Sequence, residues 1–121
     1  DFFMREIENF SKFVVGLFRK EKFKYEIKGE QGEFIEAEYL FYRLQEMIYD
    51  GKINEAENIL FETIEKDPKL EYLKLTEKFY SEISKMSDEY LLKQDYTREE
   101  IFESLDQIEA IYEKKYNDSK K

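Results

Sequence analysis

Apolar residues recur along this chain at helical spacing almost throughout, and at strand spacing only once. Phe3, Ile7, Phe10, Val14 and Leu17 step by four, three, four and three residues, which sets them on one side of a helix from Phe2 to about Arg19. Met4, Phe13, Val15 and Phe18 widen that stripe, so the helix is expected to be covered on more than one side, by the core or by a second chain. Lys22-Phe23-Lys24-Tyr25-Glu26-Ile27-Lys28 then alternates polar and apolar, a strand signal with no second strand to pair with it. An extended arm across the helices is expected over 21–32, with Gly29-Glu30-Gln31-Gly32 as a loop.

Helical periodicity returns with Phe34, Ala37, Leu40, Phe41, Leu44 and Ile48, predicting a helix from about Glu33 to Asp50. Gly51 stands where a left-handed C-terminal cap is wanted, and Asn54 with Glu57 is predicted to cap the next helix, to about Lys66. Pro68 cannot continue that helix but suits the first turn of another, from about Lys69 to Met86. Ser87-Asp88 is expected to cap a short segment through Leu92, and Thr97-Arg98-Glu99-Glu100 is a capping box opening the last helix along Ile101, Leu105, Ile108 and Tyr112. Asn117 to Lys121 is expected to fray. The expectation is one all-α domain over 1–121, about five helices and a short one. Its parts are an N-terminal amphipathic helix over 1–20, the arm, a helical hairpin over 33–68 and C-terminal helices over 69–116.

The hairpin resembles a tetratricopeptide repeat. The family's turn glycine, early small residue, large apolar residue four further on and closing proline fall on Gly51, Ala56, Leu60 and Pro68, with Leu40, Met47 and Ile53 at further large-apolar places. Ala56 lets the two backbones approach, and Leu60 fills the groove so made. Arg43, Leu44 and Thr63 depart from the pattern, and a step of one repeat puts Lys85, Tyr90 and Phe102 at the glycine, alanine and proline places, so no second repeat follows. The resemblance implies a surface that holds another protein, and a lone repeat needs flanking helices to cover it. Over nearly its whole length the chain is also similar to a family of small helical proteins from Firmicutes, a domain of unknown function. Asp1-Phe2-Phe3-Met4-Arg5-Glu6-Ile7-Glu8, the run from Gly51 to Phe61, and Thr97-Arg98-Glu99-Glu100-Ile101 carry that similarity. It implies an all-helical cytoplasmic protein and supplies no activity.

Composition narrows the chemistry. There is no Cys and no His among the 121 residues, which excludes disulfides and thiolate zinc sites and removes the usual general base near neutral pH. The acidic clusters Glu33, Glu36, Glu38 and Glu99, Glu100, Glu103 lack the spacing of a calcium loop and read as solvated helix faces, so no metal and no cofactor is expected. Net charge is −9, and all of the excess lies beyond residue 28, so the body repels phosphate backbones and no nucleic-acid partner is expected. No apolar run is long enough to cross a bilayer, and Arg5, Glu6 and Glu8 interrupt any leader-like stretch, which makes the cytoplasm the expected location.

A non-enzymatic module for protein–protein interaction or self-assembly is therefore the expected function. Tyr39, Arg43 and Met47 are the candidate partner groove, and Phe3, Ile7, Phe10 and Val14 the candidate seam of a homodimer. The alternative is a peripheral membrane protein held by its first helix and the basic residues after it.

Overall fold

A computed structural model describes the backbone of residues 2–28 and 31–118 and the side chains of 4–20 and 35–116. Six helices follow in order: α1 (Phe2–Lys28), α2 (Gln31–Tyr49), α3 (Ile53–Lys66), α4 (Glu71–Ser84), α5 (Asp88–Lys93) and α6 (Arg98–Asp118), and no strand occurs among the described residues. α4 is the centre of the bundle. Leu73, Leu75, Thr76, Phe79, Tyr80 and Ile83 are buried around nearly half of its circumference, because α2 covers one flank and α1 another. α2 also packs on α3, and α6 closes the bundle against α1 and α3.

The expected extended arm is not there: α1 runs unbroken through Lys28. A lone strand would leave its backbone amides and carbonyls without partners, whereas continuing the helix satisfies them internally, and the Lys and Glu residues of 21–28 are good helix formers. Likewise Gln31 and Gly32, read as loop, open α2; Gly29 and Glu30 lie outside the described residues. Helix also persists to Asp118, through the first part of the expected frayed tail.

The turns bear out several cap expectations and correct one. Gly51 has φ +81°, the left-handed cap that ends α2, and its N–H and that of Lys52 return to Ile48 and Met47 carbonyls. The Ser87 hydroxyl accepts the Tyr90 N–H at 3.1 Å at the head of α5, and the Glu100 carboxylate accepts the Thr97 N–H at 2.6 Å at the head of α6. Asn54 and Glu57, expected to cap α3, do neither; α3 begins after Lys52 with no side-chain cap. Asn54 instead donates to the Gln94 and Asp95 carbonyls, which locks the α2–α3 turn onto the α5–α6 turn. The α3–α4 turn is held from the far end of the chain. Lys115 and Tyr116 donate to the Pro68 carbonyl, and Tyr112 to that of Lys69.

Candidate functional site

One face of α2 is left uncovered. Ile35, Tyr39, Tyr42 and Tyr49 are 54%, 72%, 62% and 60% exposed. Their spacing of four, three and seven residues, with exposed Glu46 between the last two, aligns them in one row of about 21 Å along the helix. The opposite side of α2 supplies Ala37, Phe41, Leu44 and Ile48 to the core, so the row points away from the bundle. Exposed Glu36, Glu38 and Arg43 flank it. The Tyr49 hydroxyl donates to the Glu82 carboxylate at 3.0 Å, which pins the end of the row to α4 and raises that phenol's pKa.

The candidate groove is only partly on this face. Tyr39 and Arg43 are exposed, but Met47 is half-buried and packs on the core. Successive steps of four residues advance 400° around a helix, so a row built from them drifts by 40° each time and turns inward. Tyr42 and Tyr49, not Arg43 and Met47, continue Tyr39 along the surface. The candidate dimer seam is corrected more firmly. Phe10 and Val14 are buried in this chain's own core, which leaves these two no surface for a second copy; Ile7 is half-buried and packs against that core, and the side chain of Phe3 lies outside the described residues. Ala56 and Leu60 of the hairpin are fully buried where α3 enters the core.

A buried polar cluster escaped the sequence reading. The Oε2 atom of Glu57 accepts hydrogen bonds from Tyr80 at 2.7 Å, Ser104 at 2.8 Å and Tyr96 at 3.0 Å, joining α3 to α4, α6 and the turn before α6. Both phenols are fully buried, and burial followed by the Glu57 charge drives their pKa values up. Nothing marks this in sequence, since the partners lie 23 to 47 residues from Glu57. The arrangement can hold helices in register, since one carboxylate oxygen of α3 takes donors from three other parts of the chain.

Two further carboxylates are unusual. Neither oxygen of Glu71, which is 1% exposed, has a hydrogen-bond partner, and Oε1 of Glu77 has none either. Burial raises the pKa of both. Among the described residues no group of three or more acidic side chains is gathered as a metal site, and no helix is long and apolar enough to cross a membrane. Compared with known proteins, residues 1–113 match a family of unknown function (DUF6483). No curated protein and no solved structure matches the chain.

Proposed function

We propose, for a chain that belongs to the DUF6483 family of unknown function, a non-enzymatic role as a protein-interaction module. The observation that carries this reading is the exposed row Ile35–Tyr39–Tyr42–Tyr49 on α2. Scattered apolar side chains are ordinary on a protein surface, whereas an aligned row rimmed by charge is the form of a contact surface. Tyrosine suits it, offering a large rigid ring with few rotamers to fix and a polar tip that tolerates water when the face is empty.

Charge indicates the kind of partner. Glu36, Glu38 and Glu46 outweigh Arg43 on the flanks, so the face favours a basic surface. The chain carries one itself. On the outer side of α1, Arg5, Lys12 and Arg19 share an exposed row with Glu8 and Val15, spanning as many residues as the α2 row. A second copy laid with α1 along the α2 face sets guanidinium and ammonium groups over tyrosine rings. Such a contact joins two different faces, so it repeats from copy to copy until it closes. Membrane attachment through residues 2–24 has less support. Phe10, Val14 and Leu17 of its apolar stripe lie in the core, and the exposed large apolar residues on the described part of α1 are Met4 and Val15.

Sedimentation velocity tests the self-assembly. The expected result is an average mass that rises with concentration at low ionic strength and falls to the 14.9 kDa monomer at about 1 M salt, where screening acts within about 3 Å. The exposed double variant Tyr39→Glu, Tyr42→Glu should stay monomeric at low salt. A wild-type chain that is monomeric at every concentration, or association unchanged in the variant, would contradict it.

A further inference from the structure

Gly16 lies exposed in the interior of α1, where only proline would favour the helix less. The fold does not demand a glycine there. A methyl group at Gly16 would meet no atom of another helix within 4 Å, among the described residues. What Gly16 does is leave a gap in a basic ridge, between exposed Lys12 and Lys20 about one turn away on either side. The gap opens onto a groove of about 310 Å³ between α1 and α6. Buried Leu17 and the half-buried rings of Phe13 and Tyr116 floor it, and exposed Glu113 stands on its α6 side.

The outer face of α2 carries the complement at the same spacing. Glu38, Tyr42 and Glu46 are exposed and step by four residues, as Lys12, Gly16 and Lys20 do, so each row is about 12 Å long. An acid stands where the other row has a lysine, and a large ring stands where the other has no side chain. Rows stepped by four run parallel when two helices cross at about −50°, the commonest class of helix packing. The match holds whichever way the second helix runs, because both rows are symmetric about their centres. Resting on the self-assembly reading above, we infer that Tyr42 of one copy enters the groove at Gly16 of the next, with Glu38 and Glu46 against Lys12 and Lys20.

Three features support a second copy as the occupant. The groove has the volume of roughly ten waters at about 30 Å³ each, which is room for one aromatic side chain. A chain of net charge −9 repels its own kind, so copies can meet only where a basic patch faces an acidic one, and the two rows supply that pair. Glu113 gives a phenol hydroxyl an acceptor beside an apolar floor, which suits tyrosine at both ends of its side chain. The missing side chain at Gly16 lets the incoming helix approach closely.

The test is complementation between two variants, followed by sedimentation velocity at low salt. Gly16→Gln fills the groove without changing charge and keeps the α2 face; Tyr42→Glu removes the ring and keeps the groove. Each variant alone should associate at least about tenfold more weakly than the wild type. Mixed in equal amounts they should form a species of twice the 14.9 kDa monomer mass and nothing larger, since each retains the face the other lacks. Gln favours a helix more than Gly does, so Gly16→Gln should melt no lower than the wild type. Wild-type association in Gly16→Gln together with its loss in Tyr42→Glu would overturn the inference, leave the wider self-assembly reading standing and give the groove to another molecule. A mixture that stays monomeric would overturn it too. So would a Gly16→Gln variant that melts lower, because the glycine would then serve the fold. A wild-type chain that is monomeric at every concentration would remove both readings.

Discussion

Replacing Glu57 with Ala removes the common acceptor of three hydroxyls on buried residues. Tyr80 and Tyr96 are fully buried and Ser104 nearly so, and each donates to the same Glu57 oxygen. An unsatisfied buried hydroxyl costs about 1–3 kcal/mol, but donors sharing one oxygen do not add independently, which sets the total near 3–5 kcal/mol. A domain of this size is stable by about 5–15 kcal/mol, so the variant should remain folded but weakened. At a urea dependence of about 2 kcal/mol per molar, the unfolding midpoint followed by far-ultraviolet circular dichroism should fall by roughly 2 M with the slope unchanged. Tyr80→Phe alone should cost about 1 kcal/mol, because it deletes a donor and leaves two others on the carboxylate. In the Glu57→Ala background the same Phe should cost nothing or stabilise, since it removes a hydroxyl already orphaned. A Glu57→Ala loss under about 1 kcal/mol, or additive effects in the double variant, would refute the reasoning.

Tyr80, Tyr96 and Tyr112 should be the last of the ten tyrosines to ionise, and to do so only as the chain unfolds, followed by tyrosinate absorbance. Burial raises their folded pKa values above the unfolded 10.0, so their contribution to stability is fully present below pH 10.0 and is lost as pH rises beyond it. Phe10→Glu, which a dimer seam would tolerate as a folded monomer, should instead abolish cooperative unfolding, because it puts a charge into a site 1% exposed. Gly51→Ala should cost about 1 kcal/mol by denaturant titration, since φ is +81° there. Its new methyl also meets the Gln94 side chain at 2.9 Å, though that flexible end can move aside.

Where the physics is local, it could be read from residue order. The helical stripes, the Gly51 turn, the Ser87 cap and the Thr97–Glu100 pair depend on neighbours within four residues, and all four are found as expected. The alternation at 22–28 is equally local but misleads, because a strand exists only with a partner and none occurs among the described residues. Asn54 and Glu57 fail as caps for a related reason. Each finds a better partner about 40 residues away in sequence, and spacing says nothing of such pairings. A wide apolar stripe on α1 cannot declare whether its cover is the same chain or another, and Phe10 and Val14 are covered by their own core. The α2 face was half legible: Tyr39 belongs to it, but a row stepped by four drifts off the surface, and Met47 ends against the core.

The claim that the α2 face holds a protein is tested most directly by photo-crosslinking in cells that produce the chain, with the reactive side chain at Tyr42 and, as control, at exposed Lys114. The account predicts an adduct specific to position 42 whose captured peptide is basic, from α1 of a second copy or from another protein. Identical adducts at the two positions, or none at position 42, would contradict it.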